Sequence, residues 1–409
     1  MRETTITAQD IRNAADRLAG QVIQTPFIPA PMLSQTLGAQ LHLKLENLQH
    51  TSSFKARGAY LAMQSLDANA KKRGVIAMSA GNHAQAVAYH ARNMGILAVI
   101  VMPAQTPFAK VSRTRAFGAE VVLEGRNLNE CEGLVNRLIS ERGLSLIHPY
   151  DNDLVMTGQG TVGLEMLTQN DDLDILLVPI GGGGLIGGIA TIARDMRPDI
   201  KIYGVQTELY PTMKLAVEGK QINGGGETLA EGIAVKKPGC VTQPVISKLV
   251  DDILLVNEAS LEWAVGALVE QQRIVSEGAG AAGIAAIYQY PDLFAGKKVG
   301  AVICGGNIDP RLLASILNRN MANDGRLARL RIDISDEPGM LAAITTSISR
   351  CGGNIVEIYH QRLFYDVPAK LAKIDAVIET RGPDHVAEII ADLRNSNFLV
   401  RQLEESSGT

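Results

Sequence analysis

The sequence predicts an α/β protein built on parallel sheets and followed by a small ferredoxin-like domain. Three observations carry that expectation. Through the first three-quarters of the chain, short apolar runs (75–78, 97–102, 119–123, 174–179, 202–205 and 299–303) alternate with amphipathic helical stretches. Apolar runs joined through helices belong to parallel strands covered on both faces. Near Met321-Ala-Asn-Asp-Gly-Arg326 the pattern changes to the strict alternation of Leu330-Arg-Ile-Asp-Ile334, which suits a half-buried strand. Finally, 40 glycines in 409 residues, with no Gly-X-Y period and no serine tracts, indicate many tight turns.

Taken in order, Thr7 caps a first helix that ends before Gly20. Each apolar run is then followed by a Gly or Pro turn and a helical pattern, and α/β proteins place ligands at the C-terminal ends of such strands. After the change near residue 321 comes a helix carrying Met340, Leu341, Ile344 and Ile348, then strands at 355–359 and 374–378. A second helix carries Val386, Ile389, Ile390 and Leu393, and a last strand ends near Leu403. The order β-α-β-β-α-β is ferredoxin-like. The expected boundaries are 1–320 for the first domain (with a smaller lobe at about 45–150), 321–327 for a linker, and 328–409 for the second.

Composition narrows the function classes. The chain is 46% hydrophobic and 20% charged with a formal net charge of −4. It offers no basic field for nucleic acid and no polybasic patch for a membrane. The N-terminus is polar and helical in pattern, without a signal peptide's apolar region. No apolar run is long enough to span a bilayer. Cys131, Cys240, Cys304 and Cys351 form no C-x-x-C pair and read as reduced thiols in a cytoplasmic protein. The seven histidines show no metal-binding spacing, so no metal is expected. A small metabolite is the expected partner.

Four motifs carry the chemistry. In Thr51-Ser-Ser-Phe-Lys-Ala-Arg-Gly58, Lys55 stands at the start of a helix pattern, where the positive helix end weakens its preference for charge. A lysine that becomes neutral can form a Schiff base; alone, Lys55 also reads as a surface lysine. In Met78-Ser-Ala-Gly-Asn-His-Ala-Gln85, backbone N–H groups at a strand-to-helix turn can hold a carboxylate, and Asn82 can donate to a phenolate-like oxygen. Asn82 equally reads as a helix cap, and His83 as a structural histidine. Gly181-Gly-Gly-Gly-Leu185 follows a buried strand and can curl its N–H groups around a phosphate. Gly182, Gly184 and Gly187 also fit the dinucleotide pattern G-x-G-x-x-G, which leaves an NAD(P)-dependent oxidoreductase as an alternative. That pattern expects an acidic residue about 20 positions on, where Gln206 stands and Glu208 comes late. In Val302-Ile-Cys-Gly-Gly-Asn307, Cys304 sits where a strand delivers a side chain into a central cleft, or is inert packing.

In this order the four motifs, with Gly158-Gln-Gly-Thr161, resemble the fold-type-II pyridoxal-phosphate enzymes, specifically the threonine ammonia-lyases. The resemblance covers nearly the whole chain. It implies two lobes of parallel sheet flanked by helices and a pyridoxal 5'-phosphate cofactor. It also implies elimination of water and ammonia from L-threonine to give 2-oxobutanoate, with L-serine giving pyruvate. A serine or threo-3-hydroxyaspartate dehydratase or racemase of the same family is the nearest alternative.

Carried over, the resemblance implies that Lys55 binds the cofactor aldehyde and removes the Cα proton, with Phe54 beside the ring. Asn82 meets the ring hydroxyl, and Gly181, Gly182, Gly183, Gly184 and Leu185 cradle the phosphate. Cys304 meets the pyridine nitrogen, a place where many relatives carry serine. Ser79, Ala80, Gly81, Asn82 and His83 line the substrate site. Similar serine racemases carry a proton-transferring serine at the position of Ala80, so racemisation is disfavoured. Gln206 replaces a carboxylate that holds a divalent cation in some relatives. Gly158–Thr161 is expected to be a scaffold turn.

The C-terminal segment resembles an ACT domain, with Asp336-Glu-Pro-Gly339 and Gly352-Gly-Asn-Ile355. That resemblance implies an amino-acid effector near Asp336, Pro338, Gly339 and Asn354, and a homo-oligomer, dimer or tetramer. A dimerisation module without an effector is the alternative. Phe364-Tyr-Asp-Val-Pro368 is expected to be a surface loop.

Overall fold

Apolar runs that cannot face water on either side set the architecture. In the computed structural model, which describes residues 6–361 and 370–403, they become the inner strands of two sheets. The expected loop Phe364-Tyr-Asp-Val-Pro368 lies outside the described residues. The chain divides into two units, Met1–Asp309 and Pro310–Thr409.

The first unit holds both sheets. The larger runs Phe27–Pro29, Gln40–Lys44, Lys298–Val302, Ile175–Pro179, Lys201–Thr207, Asp252–Val256. Only its first pair is antiparallel. Ile175–Pro179 is buried at every residue, as a central parallel strand should be. The smaller sheet is all parallel and runs Glu120–Leu123, Ala98–Met102, Val75–Met78, Ser145–Leu146. All of its strands fall between Lys44 and Ile175 in the chain, so the small lobe is an insertion within the large one. Helices Lys55–Gln64 and Asn82–Met94 pack a core of small side chains against it, including Ala59, Ala84, Ala88 and Val87.

The first helix, Ala8–Leu18, is capped as expected: Thr7 and Asp10 exchange side-chain and backbone hydrogen bonds in a capping box. The expected turn at Gly158–Thr161 is a correction. These residues lie inside the 17-residue helix Asp153–Gln169 and are buried. Their glycines serve close packing. A Cβ on Gly158 would fall 2.8 Å from the Gly58 Cα, and one on Gly188 would fall 2.3 Å from the Met156 carbonyl oxygen. One helix therefore touches two others nearly backbone to backbone.

In the second unit, strands Leu327–Ser335, Asn354–Gln361, Leu371–Glu379 and Leu399–Gln402 form an antiparallel sheet. By chain position its order is second, third, first, fourth, the ferredoxin-like arrangement. Helices Met340–Arg350 and Pro383–Asn395 supply Ile344, Ile348, Val386, Ile389 and Leu393 to its core. Helix Pro310–Asn323 belongs to this unit and runs into the span read as a linker. It stops where Gly325 takes φ +67°, and the first strand starts at Leu327.

Candidate active site

The strand ends and helix starts of the two lobes enclose a cavity of about 320 Å³, within the range of small-molecule sites. Lys55 reaches it because the chain is pinned just before it. The Phe54 N–H donates to the Cys304 carbonyl at 3.1 Å, and Ser53 pairs with Gly305. Lys55 then opens helix Lys55–Gln64. Its Nζ lies 5.0 Å from the Phe54 ring centroid and donates to the Pro149 carbonyl at 2.7 Å. Burial pushes the ammonium down to about 8, against the pull of Cys304 and Glu277. A substantial neutral fraction near physiological pH is what a nucleophilic amine needs.

Two residues further on, Arg57 anchors this helix. Its guanidinium bridges Glu46 at 2.7 Å and Glu165 at 2.5 Å, and Lys44 reaches Glu165 at 2.6 Å. Burial pushes the Glu46 carboxyl up, but the Arg57 charge and hydrogen bonds, helped by Thr25 and Lys44, outweigh it and hold the group below its ordinary value.

Opposite, strand Val75–Met78 ends in Ser79-Ala80-Gly81, and Asn82 opens helix Asn82–Met94. The Gly81 N–H donates to Ser79 Oγ at 3.2 Å. The reading of Asn82 as a cap is overturned, since Gly81 holds the cap position and Asn82 is the first residue of the helix. Instead Asn82 Nδ2 donates to Glu277 Oε1, and Oδ1 accepts from Asn307 Nδ2, both at 2.7 Å. Both partners belong to the large lobe. His83 is buried, with Nε2 at 2.7 Å from the Ile147 carbonyl oxygen. Burial, with Lys55 as a lesser cause, pushes its imidazole down to about 3.

The glycine run bends sharply after Ile175–Pro179 and feeds helix Gly184–Met196. Gly183 has φ +95°, a region side chains avoid. At Gly182 a Cβ would fall 2.2 Å from the Tyr150 ring. The bend therefore presents backbone amides at a helix N-terminus, a ready anion site. Cys304 is 3% exposed, and burial pushes its thiol well above the ordinary value, so it stays neutral. At the end of the neighbouring strand, Gln206 Oε1 accepts from the Met213 and Lys214 N–H groups at 3.1 and 3.0 Å. It is thereby tied to its own loop.

Phe54, Lys55, Ser79 to His83, Gly181 to Leu185 and Cys304 thus line one cavity. Sequence reasoning missed Glu277, which sits among them. Burial pushes its carboxyl up to about 7, although Asn82 and Lys110 oppose the shift. The available signal was a single acidic residue in Ser276-Glu-Gly-Ala-Gly280, directly before the buried helix Gly278–Gln289. Lys110 and Arg113, from helix Phe108–Ala116, line the cavity as well, and Lys110 pairs with Glu231.

The second-unit candidates do not converge within the unit. Asp336 and Pro338 lie in the loop after Leu327–Ser335, and Gly339, φ +96°, precedes helix Met340–Arg350. Asn354 lies at the other end of the sheet: it pairs opposite Glu379, as Leu327 does, and donates to the Glu379 carboxylate at 3.0 Å.

Comparison with known proteins agrees with this geometry. An L-threonine ammonia-lyase of Thermotoga maritima is 40% identical over 398 residues, covering 97% of this chain and 99% of its own. The processed form of threonine deaminase isoform 2 from Solanum lycopersicum superposes with a TM-score of 0.72 at 33% identity, covering 79% of this chain and 91% of its own. Serine racemase from Dictyostelium discoideum gives a TM-score of 0.70 at 34% identity, over 75% of this chain and 99% of its own. Residues 18–305 match the family described as "Pyridoxal-phosphate dependent enzyme", and the chain belongs to that family.

Proposed function

We propose that the chain is an L-threonine ammonia-lyase, converting L-threonine to 2-oxobutanoate and ammonia and accepting L-serine as a second substrate. The observation that carries this reading is the convergence, in one cavity, of a lysine pushed down to about 8, a polyglycine anion bend and a carboxylate-binding turn. The named functions of the T. maritima and S. lycopersicum proteins support it.

The residues present fit pyridoxal phosphate. The bend 181–185 offers amides where side chains would collide, and Lys55 offers an amine that burial keeps partly neutral. When bound, the cofactor supplies an aldehyde for covalent capture and a conjugated ring that takes up the electron pair left at Cα. Gly181 to Leu185 would hold its phosphate, Phe54 would pack beside the ring, and Asn82 would hold the ring hydroxyl. Cys304, a neutral thiol, would meet the ring nitrogen without adding charge.

Ser79, Gly81 and Asn82 grip the substrate carboxylate and so fix Cα against Lys55. With substrate held there, the Lys55 Nζ amine would take the Cα proton as general base. The β-hydroxyl leaves as water with the equivalent of the proton taken from Cα, and the released enamine tautomerises to an imine whose hydrolysis takes up a water and yields 2-oxobutanoate and ammonia. Ala80 has no hydroxyl to return a proton from the opposite face, which favours elimination over racemisation. Glu277 holds Asn82 from the large lobe, tying carboxylate grip to lobe position.

For the second unit we infer an ACT-like regulatory role in a homo-oligomer, with an amino acid as effector. Asn354 and the Asp336–Gly339 loop lie at opposite ends of one sheet, so a site using both would draw them from two copies.

The test is a panel of L-threonine, L-serine and threo-3-hydroxyaspartate with 2-oxo-acid detection, repeated with isoleucine and valine. Unmodified protein should favour threonine, and borohydride reduction should place the cofactor label on Lys55. Lys55→Ala should keep its fold and lose at least about a thousandfold in turnover. Full turnover by that variant, or a label on another lysine, overturns the assignment.

A further inference from the structure

Of the motif Cys304-Gly-Gly-Asn307, the proposed mechanism uses only the thiol. The Asn307 amide carries two hydrogens on Nδ2, and both are engaged. One goes to the Thr51 carbonyl at 2.9 Å, the other to Asn82 Oδ1 at 2.7 Å. Thr51 lies just before Lys55, on the segment that Ser53 and Phe54 pin to Gly305 and Cys304. Asn82 opens the small-lobe helix Asn82–Met94. Asn307 therefore joins the approach to Lys55 to the turn that faces it.

Donor and acceptor character fixes which way each amide points. A backbone carbonyl can only accept, so the end of Asn307 that faces Thr51 is nitrogen. Arg113 Nη1, which can only donate, lies 3.5 Å from the other end, Oδ1. With Asn307 set, the end of Asn82 that meets its N–H must be oxygen, and the Asn82 nitrogen is turned to Glu277 Oε1 at 2.7 Å. The backbone makes room for that pair: a Cβ on Gly305 would fall 2.4 Å from Glu277 Oε1 and 3.1 Å from Asn82 Nδ2. One Nδ2 hydrogen of Asn82 thus goes to Glu277. The second is left for the cavity that Asn82, Glu277 and Asn307 all line.

We propose that Asn307 is a positioning residue: directed by the Thr51 carbonyl, it sets the polarity of the Asn82 amide, so that Asn82 offers the cofactor's ring oxygen a hydrogen and not a lone pair. The inference rests on the cofactor placement proposed above and names what governs the ring oxygen. A donor there favours an ionised oxygen, and an acceptor favours one that keeps its proton. Glu277 alone is a weaker guide, because a carboxyl accepts when ionised and donates when protonated. Burial, joined by Glu231, pushes that carboxyl up to about 7 against Asn82, Lys110 and Lys55. The Thr51 carbonyl does not titrate, so the polarity it imposes holds across that range.

Exchanging the two partners of Asn82 reverses its polarity at constant net charge. In Asn307→Asp with Glu277→Gln, the carboxylate at 307 accepts from Asn82 Nδ2 and the amide at 277 donates to Oδ1. Glu277→Gln alone keeps the polarity, since its amide oxygen still accepts. Each is made as holoenzyme, with thermal unfolding to confirm the fold and dialysis to confirm bound cofactor. The readout is substrate-free absorbance: the visible band, which needs an ionised ring oxygen, relative to the near-ultraviolet band of the protonated form. The double variant should lower that ratio at least about tenfold, the worth of a hydrogen bond to a charged group, and Glu277→Gln should leave it within about threefold. An unchanged ratio in the folded double variant overturns the proposal and leaves Asn307 a structural joint. An equal fall in Glu277→Gln alone overturns it too, the carboxylate charge then being the cause. Asn307→Ala gives a second route that needs no exchange. It leaves Glu277 as sole guide, so the ratio should fall as pH drops through about 7, while unmodified enzyme holds one ratio; a flat ratio in Asn307→Ala overturns the proposal. Failure of borohydride to label Lys55 in unmodified protein rejects the cofactor placement itself, independently of the variants.

Discussion

Replacing Arg57 with methionine tests how the Lys55 helix is held. The guanidinium donates to Glu46 at 2.9 and 2.7 Å, to Glu165 at 2.5 and 2.9 Å, and to Thr161 Oγ1 at 3.1 Å. With Lys44 it balances two carboxylates, so the buried cluster is neutral. Arg57→Met leaves a net charge of −1 and leaves Glu46 the Thr25 hydroxyl, at 2.5 Å, as its remaining side-chain partner. Removing one member of a buried pair costs about 3–5 kcal/mol. The lower end applies here, because Glu165 keeps Lys44 and its side chain is 14% exposed.

The loss has a definite pH dependence. In the unmodified protein Glu46 is held below its ordinary value. Its contribution is therefore present above the unfolded carboxyl pKa, about 4.3, and is lost as pH falls through the lower folded value. In the variant, burial is opposed by Thr25 and Lys44 without the larger Arg57 contributions and raises the carboxyl, so the penalty grows with pH above about 4.3 and shrinks below it. The one tryptophan, Trp263, lies in the first unit with its ring stacked on Tyr288 at 4.0 Å. Its fluorescence in urea titrations thus reports that unit alone. We expect a loss of about 3 kcal/mol at pH 7.5, narrowing towards pH 4.5, and at least about 1 kcal/mol recovered by adding Glu46→Gln. A loss below about 1 kcal/mol, or one equal at both pH values, refutes the reasoning.

Two further outcomes follow from the cavity. Capture of pyridoxal phosphate by apoprotein requires the neutral Lys55 amine, so its rate should rise with pH and reach half its plateau near 8; a midpoint near the free-lysine value of about 10.4 would show a solvated amine. Gly188→Ala puts a Cβ 2.3 Å from the Met156 carbonyl and 2.5 Å from the Gly160 nitrogen, both backbone atoms that must shift. Cofactor affinity by equilibrium dialysis should fall about tenfold or more, with about 1–3 kcal/mol of stability lost; unchanged affinity would mean the bend tolerates the displacement.

What was legible in the sequence was what local pattern dictates. Fully buried strands announce themselves as unbroken apolar runs, and Val75–Met78 and Ile175–Pro179 were read nearly to the residue. The strand Gln40–Lys44 was missed because it alternates and ends in a lysine, whose burial makes sense only beside Glu165, 121 positions away. Phe27–Pro29 contains proline, and Ser145–Leu146 is two residues long; neither has a periodicity to detect. Lys55, Asn82 and the glycine run were legible because each sits at a strand end or helix start. Glu277 was not, since its character comes from burial against Asn82, 195 positions away. Gly158–Thr161 was misread for a related reason: glycine's local meaning is a turn, while here it permits helices to touch.

That contact explains how an amine and an anion bend from distant parts of the chain keep their register. Helix Asp153–Gln169 approaches the Lys55 helix at Gly58 and Gly158 and the post-bend helix at Gly160 and Gly188. Side chains can change rotamer to absorb an error of an ångström, but backbone in contact with backbone cannot. Arg57 closes the same unit electrostatically, since its partner Glu165 lies on that helix, and Thr161 accepts from it as well. The small-lobe turn at Ser79–Asn82 is attached differently, through the Glu277 and Asn307 side chains, which can exchange partners. Lys55 and the glycine bend are thus locked to each other, while the Ser79–Asn82 turn is tied to Glu277 and Asn307. Under the proposed function, the turn that would meet the incoming substrate is the one joined to the large lobe through exchangeable side-chain hydrogen bonds.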